Sequence, residues 1–287
     1  MRRVLTTAVA ATALLVGCSA GASPNGSSPA ATRQAAPKTT AKATVRPTPT
    51  WDTTPATIAA LGDSITRGFD ACSLLKDCPD ASWATAFAKR AHSTGSSNLA
   101  RSGAVMADLE GQVQVAAARK PAQVTILMGA NDACRTATGA MTPVAEYRRE
   151  FEAAMRSLHR RLPKAQIFVA SVPDLRRLWS VGKDNPLALQ VWQLGICPSM
   201  LGDAASTTTA AQQRRTAVRD RVVAYNKVLA DVCGAYARCR TDGGAVFGYR
   251  FTADELSTWD WFHPSRRGQE QLARVIYEAF TSSRVTG

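Results

Sequence analysis

Gln123-Val124-Thr125-Ile126-Leu127-Met128 is the stretch that decides the fold, because it is a largely apolar run closed by Gly129. A run of this length without polar alternation is typical of a strand whose sheet is covered on both faces. Two shorter runs of the same kind flank it along the chain, at 57–61 and 167–170. Together they predict a mostly parallel sheet inside one domain.

The segments between these runs have helical patterns. In the clearest one, Thr142 suits the N-cap, Pro143 the first turn and Glu146 the helix dipole. Its apolar residues recur at steps of three or four and form one stripe: Val144, Tyr147, Phe151, Met155, Leu158 and Leu162. Other helices are predicted at 83–91, 105–118 and 218–232, and after Ser265. Strands alternating with helices predict a three-layer α/β/α sandwich.

Periodicity fails over 175–211, where Gly, Pro, Ser and Thr are frequent. We therefore predict a long irregular insertion, held in place by Cys197. Insertions of this kind often shape the substrate side of a site.

Two short motifs carry the chemistry. Gly62-Asp63-Ser64-Ile65 places a serine directly after an apolar run, and Asp260-Trp261-Phe262-His263-Pro264 comes late in the chain. A serine hydroxyl becomes a nucleophile when an imidazole takes its proton and a carboxylate holds the tautomer of that imidazole. We predict Ser64 as the nucleophile, His263 as general base and then general acid, and Asp260 as the orienting carboxylate.

Ester cleavage also needs hydrogen-bond donors aimed at the oxyanion of the tetrahedral intermediate. The candidates are the backbone N–H groups of Ser64 and Gly103 and the side-chain amide of Asn131. Ser64 and Asn131 each follow an apolar run, and the carboxyl ends of parallel strands meet at one edge of a sheet. These residues are therefore predicted to form one site.

Four blocks in this order resemble the SGNH (or GDSL) hydrolases. They are Gly62-Asp63-Ser64-Ile65, Asn98-Leu99-Ala100-Arg101-Ser102-Gly103, Gly129-Ala130-Asn131-Asp132 and Asp260-Trp261-Phe262-His263-Pro264-Ser265. The resemblance implies a flavodoxin-like sandwich, a Ser-His-Asp triad, an oxyanion hole of Ser64, Gly103 and Asn131, and neither metal nor cofactor. Ile65 stands where leucine is common, a conservative departure. Thr66 breaks the Gly-x-Ser-x-Gly pattern, which argues against the α/β-hydrolase class.

The first 54 residues are expected to lie outside the hydrolase domain, which we place at 55–287. A basic Met1-Arg2-Arg3 precedes an apolar run, 4–16, that is short for a membrane span. Leu15-Val16-Gly17-Cys18 resembles the bacterial lipobox, which predicts a lipoprotein signal peptide over 1–17 and a membrane anchor on Cys18. An ordinary secretory signal is the alternative. Residues 18–54, rich in Ala, Thr, Ser and Pro, are predicted to be a disordered tether.

The charge of the chain argues against nucleic acid as a partner. Six of its 35 basic residues precede residue 51, which leaves 29 bases against 22 acids and a net charge of +7 for the rest. No Lys/Arg cluster is interleaved with aromatic residues. A basic face toward an anionic envelope or substrate is one interpretation, and a solvated surface is the simpler one. We expect a monomer.

Seven cysteines fit an exported chain. With Cys18 assigned to the lipid, six remain, and their connectivity is not fixed by sequence. Cys72–Cys78 and Cys233–Cys239 would each close a small loop, which leaves Cys134–Cys197 by elimination. Metal binding is disfavoured because there is no C-x-x-C pair and no histidine near a cysteine.

The sequence thus predicts a secreted, membrane-anchored esterase or lipase that hydrolyses lipid or other carboxylic esters through an acyl-enzyme. Two alternatives stay open: an acetyl esterase or acyltransferase acting on envelope glycans, and a non-catalytic surface binding lipoprotein that keeps the blocks as a scaffold. The residues do not fix the acyl length.

Overall fold

The computed structural model describes residues 50–282. Within them a single sheet of five parallel strands has the order β2-β1-β3-β4-β5. The strands are β1 (Thr57–Gly62), β2 (Gly95–Asn98), β3 (Gln123–Leu127), β4 (Gln166–Val169) and β5 (Cys239–Thr241). This is the flavodoxin-like order, in which sites form beyond the carboxyl ends of the strands. The predicted α/β class and central parallel sheet are confirmed.

Helices cover the sheet on both sides, so β3 is buried at every position. The helices of the described residues are α1 (Ser64–Arg67), α2 (Trp83–Arg90), α3 (Leu109–Arg119), α4 (Ala130–Ala133), α5 (Val144–Arg161), α6 (Leu175–Gly182), α7 (Pro186–Trp192), α8 (Pro198–Leu201), α9 (Thr209–Gly234), α10 (Ala245–Gly248) and α11 (Arg266–Thr281). One outer layer pairs α2 with α11, and the other contains α3, α5 and α9. None of these helices is both long enough and apolar enough to cross a membrane.

Helix α5 follows its predicted stripe but begins one residue later than expected. Tyr147, Phe151 and Met155 are buried against the core. Pro143, rather than Thr142, occupies the N-cap. The carbonyl of Thr142 instead accepts hydrogen bonds from Tyr225 and from a guanidinium on α9, so this residue belongs to the contact between the two helices. The last helix starts as predicted, with Ser265 accepting from the N–H of Gly268.

The prediction of an irregular insertion at 175–211 is wrong. The segment forms α6, α7, α8 and the start of α9. Asp174 caps α6, and Asn185 caps α7 with a proline in its first turn. Helices of four to eight residues present too few apolar repeats for periodicity to register. Strand β5 is also too short to be recognised, because its three residues contain no apolar run.

Three disulfides stabilise the described domain, and their pairs are those expected from the sequence. Cys72–Cys78 and Cys233–Cys239 each span six positions, and Cys134–Cys197 spans 63. The long bridge ties the end of α4 to the start of α8. Closing a loop of this length lowers the conformational entropy of the unfolded chain, which stabilises the folded state by about 4 kcal/mol. The bridge therefore fixes the insertion against the sheet.

The folded domain begins earlier than the predicted boundary at 55. Trp51 donates from its indole to the carbonyl of Phe280 at 3.1 Å and packs against that ring and Phe168. The N–H of Asp52 donates to Gln166, the first residue of β4. Residues 51–54 are thus part of the domain rather than of the tether. The signal peptide 1–17, the lipidation at Cys18 and the tether up to 49 lie outside the described residues.

Candidate active site

The nucleophile segment begins where β1 ends. Asp63 caps α1 by accepting from the N–H of Ile65 at 3.0 Å, and Ser64 is the first residue of that helix. Gly62 has φ 156°. A Cβ here would lie 2.3 Å from the carbonyl of Leu127 on β3, so the turn requires glycine. Ser64 is therefore held rigidly at the carboxyl edge of the sheet.

Ser64, His263 and Asp260 form one hydrogen-bonded chain. The Ser64 hydroxyl lies 2.9 Å from Nε2 of His263, and Nδ1 of that ring lies 2.5 Å from Oδ2 of Asp260. A carboxylate at Nδ1 keeps the proton there and leaves Nε2 free to accept the serine proton. The two motifs, 199 positions apart along the chain, thus meet with the geometry of a proton relay.

The bend that carries Asp260 and His263 is stabilised by its own backbone. Oδ1 of Asp260 accepts from the N–H groups of Phe262 and His263, both at 2.9 Å, while Trp261 has φ 50°. The carbonyl of His263 accepts from the N–H of Ser257. Because both carboxylate oxygens are occupied, the side chain of Asp260 cannot rotate without losing several contacts.

The three oxyanion candidates follow three neighbouring strands: Ser64 follows β1, Gly103 follows β2 and Asn131 follows β3. The Ser64 N–H lies in the first turn of α1, where helical N–H groups have no partner within the helix. Gly103 has φ 81°, a left-handed conformation that favours glycine, and a Cβ on it would meet no atom within 4 Å. Asn131 uses one amide hydrogen to hold the carbonyl of Ala104 at 2.9 Å. The second amide hydrogen is left for a ligand.

A model of the GDSL-like lipase/acylhydrolase family matches residues 60–271, a range that contains all of these side chains. The chain belongs to the GDSL-like lipase/acylhydrolase family. Membership implies hydrolase activity on esters, and the range agrees with the blocks found in the sequence.

Solved structures of other proteins share the fold of this GDSL-like domain. An extracellular lipase from Streptomyces rimosus is 18% identical, with 78% of this chain and 99% of that chain covered and a TM-score of 0.51. An α/β hydrolase enzyme from the metagenome of Lake Arreo is 16% identical, with 78% and 94% covered and a TM-score of 0.50. A comparison with curated proteins finds no significant match.

In this GDSL-like domain the imidazole and its carboxylate stabilise each other's charge. Burial opposes protonation of His263, but the carboxylates of Asp260, Asp70 and Asp63 together outweigh it and hold the pKa of His263 above its usual value. Burial likewise opposes ionisation of Asp260, and the pKa of Asp260 is nevertheless lowered by His263 and by the two N–H donors. The pair is therefore set to accept a proton from Ser64.

Two further carboxylates of the motif blocks are buried and organise the backbone. Burial raises the pKa of Asp63 to about 6 and that of Asp132 to about 7. Asp132 accepts from the N–H of Met106 at 2.9 Å, which ties the Asn131 block to the loop that follows Gly103. Both residues therefore act on the site through the backbone.

Asp70 is a carboxylate beside the imidazole that the sequence analysis missed. Asp70, Asp260 and His263 each have one atom able to bind a metal ion, and these three atoms lie within 4.8 Å of one another. Such a trio could hold a metal ion, but both ring nitrogens of His263 are already occupied. Asp70 Oδ2 is buried and has no hydrogen-bond partner in the part of the chain described. Burial and the nearby Asp260 raise the pKa of Asp70.

We expect Asp70→Asn to move the acid limb of the kcat/KM profile to lower pH. The charged groups acting on His263 are Asp260, Asp70 and Asp63, all of which raise its pKa against burial. His263 must be neutral to act as a base, so activity is lost as pH falls through its pKa. Removing one negative charge lowers that pKa.

The measurement is kcat/KM for a soluble ester as a function of pH. Asp80→Asn, at an exposed position, is the control and should leave the acid limb in place. An acid limb that does not move in Asp70→Asn would show that the carboxylate exerts no field on His263.

Other supporting side chains were also missed. The side chain of Gln112 accepts a hydrogen bond from the N–H of Gly62 and donates one to its carbonyl. The side chain of Gln269 accepts from the N–H of Trp83 and donates to the carbonyl of Ile65. Trp192 donates to the carbonyl of Asp260 at 2.8 Å. These contacts join residues 50 to 204 positions apart, so no local spacing could have signalled them. The other two histidines of the chain, His92 and His159, are exposed.

Proposed function

We propose that this chain is a serine esterase that hydrolyses carboxylic esters through an acyl-enzyme. The 2.9 Å contact between the Ser64 hydroxyl and Nε2 of His263 carries the proposal. A neutral imidazole with its other nitrogen on a carboxylate is the base that a serine nucleophile requires.

In the proposed reaction, Ser64 Oγ attacks the ester carbonyl while its proton passes to Nε2 of His263. The carbonyl electron pair moves onto oxygen, where the N–H groups of Ser64 and Gly103 and the amide of Asn131 stabilise it. Collapse of this intermediate expels the alkoxide, which takes the proton from His263. Water then attacks the acyl-enzyme with His263 as base, and the acid is released.

The cellular setting is part of the same proposal. Leu15-Val16-Gly17-Cys18 supports export and lipidation at Cys18, which would hold the enzyme at the outer face of the cell membrane. Three disulfides are also typical of an oxidising compartment. Mass spectrometry of the mature protein should find acylated Cys18 at its N terminus. An unmodified terminus downstream of residue 18 would contradict the anchor.

The substrate class is tested with a panel of chromogenic esters from acetyl to palmitoyl, together with acetylated sugars and a phospholipid. A fluorescent organophosphonate added in parallel should label Ser64 and no other residue. Hydrolysis within the carboxylic ester series supports the esterase proposal. Turnover confined to acetylated sugars would favour the glycan acetyl esterase. Absence of both labelling and turnover would favour the remaining alternative, a non-catalytic surface binding lipoprotein.

A further inference from the structure

A cavity lies beyond the carboxyl ends of the strands, where Ser64 also lies, and none of the triad residues lines it. Its volume is about 430 Å³, within the size range of small-molecule sites. It is bordered by α6, which follows β4, and by α10, which follows β5. Neighbouring strands are about 4.8 Å apart, so β4 and β5 lie roughly 10 to 15 Å from β1 across the sheet.

The lining of this cavity is strongly basic. The lining residues are Asp174, Arg176, Arg177, Ser180, Arg219, Phe247, Gly248, Tyr249 and Arg250. Four arginines thus face a single carboxylate. Four like charges around a small volume repel each other unless an anion reduces their field.

The single carboxylate is already engaged. Oδ1 of Asp174 accepts from the N–H groups of Arg176 and Arg177 at the start of α6. Its other oxygen binds Nε of Arg219 at 2.9 Å, and that guanidinium also lies 5.3 Å from the centre of the Phe247 ring. Asp174 therefore neutralises Arg219 and positions it.

The other three arginines have no acidic partner. Within residues 50–282, none of Arg176, Arg177 and Arg250 forms an ion pair. Arg177 donates a hydrogen bond from Nη2 to the carbonyl of Phe251 at 3.1 Å, while its Nε is buried and has no hydrogen-bond partner among the described residues. Each guanidinium retains donors that an oxyanion could take.

A neighbouring buried arginine adds to the positive field. Arg215 is fully buried, and its guanidinium lies 4.1 Å from the centre of the Trp179 ring. Burial lowers the pKa of Arg215, and the nearby charges of Arg214 and Arg176 lower it further. Asp203 acts in the opposite direction on Arg215, but the pKa of this guanidinium stays lowered, which shows that positive charge predominates around it.

We infer that this cavity binds a phosphoryl group through Arg176, Arg177 and Arg250. Planar guanidinium groups match the oxygens of a phosphate with paired hydrogen bonds, and several of them together favour a multiply charged anion over a carboxylate. The rings of Phe247 and Tyr249 supply an apolar wall for the organic part of a phosphate ester. The site does not depend on ester hydrolysis at Ser64.

The test uses the full chain carrying Ser64→Ala, so that binding is measured without turnover. Calorimetric titration with inorganic phosphate and with glycerol 3-phosphate reports a soluble ligand. Flotation with vesicles of phosphatidic acid, compared with phosphatidylcholine, reports a lipid headgroup. The double variant Arg176→Gln with Arg250→Gln removes two guanidinium groups from the cavity. Of these two side chains, Arg176 makes one long hydrogen bond, to Thr216 at 3.4 Å.

The matched control is Arg149→Gln with Arg160→Gln, two exposed arginines on α5 that change the net charge equally. We expect the cavity variant to weaken binding by about tenfold or more and the control to leave it unchanged, because paired charge-assisted bonds are lost in one variant alone. Saturable binding of the soluble ligands identifies a free phosphate ester, and a vesicle response alone identifies a headgroup. No binding in either assay, or equal weakening in both variants, would overturn the inference.

Discussion

Ser64→Ala is expected to lower kcat for an aryl acetate by about 10⁴-fold or more, since no other group can form the acyl-enzyme. The residual rate comes from the oxyanion donors and substrate binding, which the substitution leaves in place. Alanine fits where serine stood, and loss of one hydrogen bond to His263 changes the free energy of unfolding by about 1 kcal/mol.

Initial rates and thermal unfolding of the same preparation check this result. Ser93→Ala, which removes a hydroxyl bonded to the carbonyl of Ala56 near the amino end of β1, is the matched control and should keep full activity. Turnover near the wild-type rate in Ser64→Ala would mean that the hydroxyl is not the nucleophile.

Asp260→Asn is expected to lower kcat by about 10⁴-fold while the bend keeps its shape. The amide oxygen can still accept from the N–H groups of Phe262 and His263. Its NH₂ group, however, would face Nδ1 and force the imidazole into the tautomer with its proton on Nε2. That tautomer cannot accept the proton of Ser64.

Steady-state kinetics with the same ester measure the effect. Asp254→Asn is the control, because this carboxylate is exposed, pairs with Arg267 and lies close in the chain. It should stay within about twofold of wild type, as exposed ion pairs contribute little. If Asp260→Asn lost activity together with its cooperative unfolding transition, the residue would be structural instead of orienting.

The parts of the fold that the sequence predicted are those with local signatures. The run at 123–128 is apolar because β3 is covered on both faces, and the stripe from Tyr147 to Leu158 repeats for several turns. Ser64 and His263 stand in short motifs whose order along the chain could be recognised. Each of these signals lies within a few consecutive residues.

The parts that were missed depend on contacts between distant residues. Trp192 supports Asp260 from the insertion that was expected to be irregular, and Asp70, which precedes the Cys72–Cys78 loop, lies near the imidazole. Trp51 was assigned to the tether because the stretch around it is rich in threonine and proline, yet its ring fills a gap beside Phe280. Burial of this kind depends on the partner, which composition does not specify.

The position of Trp51 determines at which end of the sheet the preceding chain joins the domain. It contacts the domain beside the amino ends of the strands, near Gln166, whereas Ser64 follows the carboxyl end of β1. Six residues of strand separate these ends by about 20 Å. Any anchor upstream of Trp51 would therefore be attached at the end of the sheet opposite the catalytic serine, so that the attachment itself would not cover the site.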